Sequence, residues 1–413
     1  MSTNAVLFVS PLLAMPQQHG GCVYPHAVLN ALHAQGIPID YTWLAWPLRG
    51  KRAIMRDPLR ANYVRMGHIP GTVRLGRWRV RSPQDWRSRA RIVAAGDELP
   101  NPEDQAFFRG QINRHPVCNV LVDFATTLPV LDALSPAERA TLHVSVLTHN
   151  LNWRRTDLYR AHGQSLDFMP MTRTEETALL ERADLIVAIQ ESEADSFRAM
   201  LPHKKVVTVP MPVEAKVLPP AEEPAPICLF VGGYSGHNLA GLEWLLREVW
   251  PAVLRQYPEA ELHVAGTVSQ AVPKNAAGVR ALGSVNDLRE TYAAARVALA
   301  PLPMGTGLKI KVIEAMGWGR PVVTTAAGAE GFPELERGEC AVVADAPEAF
   351  AKAILRLLRS PIAWQEVVDR QQVWIGKRLS PETALRPLIE AWSNSPASDR
   401  HDLPVVPSHF QAA

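Results

Sequence analysis

The sequence predicts an α/β protein made of two doubly wound, parallel-sheet domains. Three observations carry that expectation. The chain has 413 residues, too many for one ordinary core and enough for two of roughly 150–200 residues each. Short apolar runs recur along its length with helical or polar segments between them, the alternation of βαβ units. Two of these runs, residues 5–10 and 227–231, are each followed by paired glycines, Gly20-Gly21 after a loop and Gly232-Gly233 at once, and then by a helical pattern. A doubly wound domain opens in this way, with the loop at the carboxyl edge where ligands bind.

Taken in order, residues 5–10 (AVLFVS) form the first strand. The apolar stretch 5–15 has no basic residues before it and is interrupted by Pro11, so it reads as a strand rather than a signal peptide. A helix over about 22–35 ends at Gly36-Ile37-Pro38. Residues 49–91 hold twelve arginines and Lys51 against Asp57 and Asp85, with Tyr63, Trp78 and Trp86 interleaved. This is either a solvated basic face or a surface for anionic lipid or a phosphate-bearing acceptor. No nucleic-acid motif accompanies it. Strands follow at 117–122, 144–147, 185–189 and 206–209, and Thr148-His149-Asn150 follows the second of these. After the third, Ser192 and Asp195 have capping-box spacing for a helix start.

Residues 213–226 are rich in proline and glutamate without periodicity and read as a linker. The expected division is an N-terminal domain over 1–213, a linker at 214–226 and a C-terminal domain over 227–376. A helix at 377–396 and a mobile tail at 397–413 complete it. In the second half, a helix from about 239 places Leu242, Leu245, Leu246, Val249 and Val253 on one stripe. Strands are expected at 262–265, 297–300, 322–325 and 341–344, and helices at 347–358 and 380–393.

Residues 301–331 organise the chain: PLPMGTGLKIKVIEAMGWGRPVVTTAAGAEG. Gly305 and Gly307 open a helix whose first residues are 308–311, which ends at Gly317 and Gly319. Glycines allow close backbone approach to a ligand, and the free N–H groups of a helix start favour an anion. Gly307, Lys311 and Glu314 stand at i, i+4 and i+7 and so share a face, offering a cation to phosphate and a carboxylate to sugar hydroxyls. The same residues also suit a plain crossover helix with a solvated Lys–Glu pair.

The order G-x-G-x-K-x-K-x-x-E-A-M, then G-x-P-V-V-x-T, then G-x-E-G, resembles the donor site of GT-B glycosyltransferases, most closely the retaining family 4 or "group 1" enzymes. The run V-G-G-Y-x-x-x-N-x-x-G-L-x-W from Val231 is similar to the opening of that family's donor domain. His149, Glu175 and Glu176, the strand 183–188 and the strand 206–210 are similar to the end of its N-terminal domain. The likeness covers 140–360 well and 1–140 only by fold logic.

The resemblance implies a GT-B fold, two Rossmann-like domains facing across a cleft. It implies an enzyme (EC 2.4, hexosyltransferase type) that moves sugar from a nucleotide-sugar to an acceptor hydroxyl, with retention. His149, Lys311 and Glu314 are the implied catalytic residues. Gly232, Gly233, Val285, Gly305, Thr306, Gly307, Leu308, Lys309 and Glu330 would hold the donor, and Gly20 and Gly21 would form an acceptor-side loop. Lys309 and Lys311 take the phosphate, because only His237 stands where many relatives carry a basic residue near Gly233. Thr306 replaces the first glutamate of the family's Glu-x7-Glu pair. No Asp-x-Asp pair occurs, so neither a metal nor another cofactor is expected, and a UDP- or GDP-type donor is a substrate. Two other readings share the fold: a nucleotide-sugar 2-epimerase, and a non-catalytic protein whose arginine-rich segment contacts a partner.

Composition agrees with these expectations. Apolar residues make up 47% and charged residues 20%, as in globular proteins. A net charge of +2 gives no whole-protein argument for nucleic acid. Cys22, Cys118, Cys228 and Cys340 lie far apart without metal-ligand spacing and are expected to be buried, reduced thiols. No run reaches the ~20 apolar residues of a membrane span, so the expected location is the cytoplasm, with peripheral contact at the inner face of a membrane. The expected acceptor is lipid-linked or a glycan.

Overall fold

A computed structural model describes residues 5–11, 20–44, 64–65, 72–75, 78–81, 99–100, 102–114, 117–163, 166, 168–218, 225–285 and 287–394. The tail at 397–413, the loop before Gly20 and most of the arginine-rich segment 49–91 lie outside these residues.

The N-terminal sheet is built from β1 (Val6–Ser10), β2 (Ile39–Trp43), β3 (Val64–Arg65), β6 (Asn119–Asp123), β7 (His143–Leu147), β8 (Leu185–Ala188) and β9 (Lys205–Thr208); β4 (Thr72–Leu75) and β5 (Trp78–Arg81) pair apart from it as an antiparallel ribbon. Its order is β3-β2-β1-β6-β7-β8-β9, and every pair is parallel. The C-terminal sheet contains β10 (Ile227–Val231), β11 (Glu261–Ala265), β12 (Val279–Gly283), β13 (Val297–Ala300), β14 (Val322–Thr324) and β15 (Val342–Val343), in the order β12-β11-β10-β13-β14-β15, again all parallel. Strand order reverses beside β1 in one sheet and beside β10 in the other. Those switch points are where doubly wound sheets open a crevice at their carboxyl edges.

The strands are near-continuous apolar runs because helices cover both faces of each sheet. Phe8, Val120, Val144 and Ile186 are wholly buried, as are Phe230, Leu262, Val264 and Val297. Each sheet has an outer core of its own. One is centred on Val9, Val122, Leu128 and Phe197, the other on Phe230, Leu245, Val253, Phe350 and Ile354. The facing inner layers merge into one apolar cluster running from Tyr24 and Leu32 through Val312 and Met316 to Trp374, Leu388 and Trp392.

Local chemistry sets the helix ends. Ser135–Glu138 and Thr172–Glu175 form complete capping boxes. Ser360 and Ser380 cap the last two helices, Pro361–Arg378 and Pro381–Ser393, each with proline as the first helical residue. The final helix crosses back to the first domain, where Trp392 Nε1 donates to Ser145 Oγ on β7 at 2.9 Å. Residues 213–218 run along the C-terminal domain: the N–H groups of Val213, Lys216 and Leu218 donate to the carbonyls of Leu379, Gly317 and Trp318.

Three expectations change. The capping box at Ser192/Asp195 is absent; the helix is Glu191–Met200 with Gln190 at its cap position, so Ser192 already lies inside the first turn. The helix of the glycine stretch is Ile310–Gly317, later than residue 308, because Gly307 has φ +70° and cannot be helical. Gly307 therefore precedes the helix instead of sharing its face with Lys311 and Glu314. Strands β2, β3, β4, β5 and β12 were not anticipated. The four cysteines are buried and form no disulfide with one another.

Candidate active site

The two carboxyl edges face each other across the seam between the domains. On the C-terminal side, β13 leads into Gly305, Thr306, Gly307 and Leu308, and Lys309 stands at the cap of the Ile310–Gly317 helix. Leu308 is buried in the shared cluster. A Cβ on Gly307 would come 2.5 Å from the carbonyl oxygen of His149 and 2.6 Å from Asn150 Oδ1, so only glycine lets the first domain approach this loop. Thr306 Oγ1 lies 3.4 Å from Asn150 Oδ1.

Lys309 is 7% exposed. Its Nζ donates to the Gly307 carbonyl at 2.8 Å and lies 3.6 Å from Glu330 Oε2. Glu330 Oε1 accepts from Arg154 Nη2 of the first domain at 2.9 Å, which completes an ion-pair chain across the seam. Lys311 is a different case. Its Nζ donates to Asn238 Oδ1 and lies 4.8 Å from the centre of the Phe230 ring. Burial without a carboxylate partner pushes its ammonium down to about 7. Burial also lowers Lys309, against the opposing pull of Glu330 and Glu193.

Glu314 accepts from the Tyr292 hydroxyl at 3.1 Å, and burial pushes its carboxyl up to about 7. Gly232 and Gly233 follow β10. The Gly232 N–H donates to Ala265, and the Gly233 carbonyl accepts from Asn238 Nδ2 at 3.0 Å. Asn238 thus ties this loop to Lys311. His237, the imidazole of the same loop, has its Nδ1 2.8 Å from the Tyr159 hydroxyl; burial and the nearby cations push it down to about 3. A neutral ring leaves the positive charge around it to Lys309, Lys311 and Arg155. Val285 follows β12, half-buried against the shared cluster.

On the N-terminal side, β1, β6 and β7 end together. Ser10 Oγ donates to Asp123 Oδ2 at 2.7 Å, and Asp123 Oδ1 is 2.6 Å from His149 Nε2. The His149 ring stacks on Phe124 at 3.8 Å and meets the edge of Tyr24 at 5.4 Å. Phe124 has φ +65°, unique among the described non-glycine residues, a strained backbone that brings its ring under the imidazole. Gly20 and Gly21 begin the helix Gly20–Ala34 that follows β1 at this edge.

The structure therefore brings His149, Lys309, Glu330 and the 305–308 loop to one seam, with Lys311, Glu314, Gly232 and Gly233 around the same C-terminal switch point. Sequence reasoning missed Asp123, Glu193, Gln190 and Asn238. An acid directly after an apolar strand was the available signal for Asp123. Among the described residues no group of three or more His, Cys, Asp or Glu side chains is placed to hold a metal ion.

Comparison with known proteins follows this geometry. Residues 225–360 match the family model of the group 1 glycosyl transferases. An uncharacterized 44.6 kDa protein in the cps region of Klebsiella pneumoniae is 29% identical over 151 residues, 34% of this chain and 39% of that protein; the match spans about two fifths of the relative's length. Whole-chain likenesses are structural. Sucrose-phosphate synthase of Thermosynechococcus elongatus is 18% identical, with TM-score 0.63 over 94% of this chain and 98% of that one. A TarM variant of S. aureus in complex with UDP is 9% identical, with TM-score 0.65 over 95% and 100%. Anabaena HepE in complex with UDP and glucose is 13% identical, with TM-score 0.58 over 94% and 99%. At such identities these structures speak for the fold. The chain has the two-domain GT-B fold, and its residues 225–360 match the group 1 glycosyl transferase family model.

Proposed function

We propose that the chain transfers a sugar from a nucleotide-sugar to an acceptor hydroxyl in the cleft between its two sheets. The observation that carries this reading is the lysine pair of buried Lys309 and half-buried Lys311, with Glu314 one turn on, at the switch point of a domain that matches the group 1 model. The leaving group is a nucleoside diphosphate, so negative charge grows on its β-phosphate as the glycosidic bond breaks. Lys311 and Lys309, with the N–H groups before the Ile310–Gly317 helix, stabilise that charge in a site with little water to reorganise. Glu314 accepts from the ribose hydroxyls. His149, fixed by Asp123 and Phe124, touches the transferred sugar or places the acceptor.

Two lysines supply the cation that a metal provides elsewhere, which supports a metal-independent reaction. The retaining course expected from the family needs no protein nucleophile: the leaving phosphate takes the acceptor proton on the face it departs from. The donor is of UDP or GDP type; UDP is bound in the TarM and HepE structures. The acceptor is lipid-linked or a glycan. Among the described residues no helix is long and apolar enough to cross a membrane. The arginines of 49–91 favour peripheral contact with an anionic membrane surface from the cytoplasmic side.

Lys311→Ala and Glu314→Ala test the reading. Each is expected to cut turnover by about a hundredfold or more, the scale of losing one electrostatic contact to the transition state, with melting behaviour preserved. Near-normal kinetics in both would remove the basis for this site.

A further inference from the structure

Opposite the donor loop, the helix Glu191–Met200 begins with two polar side chains that the protein itself does not satisfy. Gln190 is wholly buried, yet neither its Oε1 nor its Nε2 has a partner. Glu193 is 1% exposed. Its Oε1 accepts from the N–H groups of Leu151 at 3.1 Å and Gly307 at 3.0 Å, one from each domain, while its Oε2 is buried and unpaired. Gln190 is the extended cap residue of this helix and Glu193 lies in its first turn. Both touch the C-terminal domain: Glu193 at Gly307, and Gln190 at Gly331, where a Cβ would collide with Gln190 Oε1. The residues met there flank Thr306 and Glu330.

Buried polar atoms without partners are uncommon, and each calls for a ligand or an ordered water. Three such atoms, on two side chains that meet the other domain at Gly307 and Gly331, form a subsite. An uncharged amide and a carboxyl do not suit phosphate, which the neighbouring lysines already serve. They do suit hydroxyls, because together they offer both donors and acceptors. Burial pushes the Glu193 carboxyl up to about 7, so near neutral pH it is present in both protonated and ionised forms. Lys309 and Glu176 are the other charged groups acting on it, one lowering and one raising it.

We propose that Gln190 and Glu193 of the N-terminal domain bind the hydroxyls of the transferred sugar and set which sugar is accepted. This inference rests on the nucleotide-sugar reading given above and adds to it a specificity subsite on the opposite domain. Thr306 carries no carboxylate, and Glu193 places one beside Gly307, the next residue.

Binding measurements on wild type, Glu193→Gln and Gln190→Leu test the proposal. Dissociation constants are compared for UDP against UDP-glucose and UDP-N-acetylglucosamine, and for GDP against GDP-mannose. For the donor that wild type binds, the ratio of nucleotide-sugar to nucleotide dissociation constants is expected to rise about tenfold in each variant, the scale of losing a hydrogen bond to a buried polar group. Binding of the nucleotide alone stays within about twofold. Gln190→Leu removes unpaired polar atoms and keeps the volume, so it remains a fair test if Glu193→Gln folds poorly. An unchanged ratio in a folded variant overturns the proposal and leaves the donor site standing. If wild type binds none of these probes, the nucleotide-sugar reading and this subsite fall together.

Discussion

Lys311 gives the sharpest physical prediction. The residue is half-buried, its ammonium has Asn238 and the Phe230 ring as neighbours and, among the described residues, no carboxylate to hold the charge, and desolvation brings it down to about 7. At pH 8 it is then about one-tenth protonated. A nucleoside diphosphate placed beside it supplies the missing counter-charge and drives the group back toward its ordinary value near 10.4. Binding at pH 8 therefore takes up about 0.9 proton at this site, and at pH 6 only about 0.1. The carboxyls of Glu193 and Glu314, at about 7, are already largely ionised at pH 8. Calorimetric titration of UDP or GDP, whichever wild type binds, in two buffers of different ionisation enthalpy reads the uptake directly. Lys311→Met should remove it and weaken binding. Uptake below about 0.2 proton at pH 8, with wild-type affinity intact, would refute the assignment of Lys311 to phosphate.

Three further outcomes follow from the same geometry. Glu193 and Glu314 have raised folded values, so the native state holds extra protons between about 4.5 and 7; the stability they confer is complete below that window and lost as pH rises through 7, by up to ~3 kcal/mol each. Urea midpoints at pH 5 and pH 7.5 should show this loss in unliganded protein and shrink in the Glu193→Gln/Glu314→Gln variant. Gly307→Ala forces a side chain onto the His149 carbonyl at positive φ; it should cost about 1–3 kcal/mol and widen the cleft, visible as a larger radius of gyration in solution scattering. Asp123→Asn leaves the shape of the edge intact but loses the charge on His149 Nε2; turnover should fall at least tenfold while nucleotide affinity stays unchanged, and an equal fall in both would mean that Asp123 acts only on the fold.

Much of the architecture was legible because periodicity and glycine placement are local signals. Residues 5–10, 227–231 and 297–300 are apolar on both faces and became the central strands. Val64–Arg65 is too short to announce a strand, and Val279–Gly283 (VRALG), interrupted by Arg280 and partly exposed at a sheet edge, gives no clear apolar run. The C-terminal half of the site was readable because Gly305 to Glu314 are consecutive. The N-terminal half was not. Ser10, Asp123 and His149 are far apart in sequence and meet only because β1, β6 and β7 are neighbours in the sheet. Glu193 carried no signal of its own in the sequence; only the approach of Gly307 gives its carboxylate a role between the domains. The chemistry of Lys311 was readable as a positive charge, but its depressed value depends on Phe230 and Asn238 closing over it.

The central claim is that this seam holds a nucleotide-sugar and breaks its glycosidic bond. The most direct measurement is nucleoside diphosphate release from a panel of UDP-, GDP-, TDP- and ADP-sugars by purified protein, with and without EDTA, for wild type and Lys311→Ala. One nucleotide class should stabilise the wild type against heat and be hydrolysed slowly, in the presence of EDTA as well, and Lys311→Ala should do neither. If no donor shifts the melting temperature or releases nucleotide above the rate of the variant, the account of this site is contradicted.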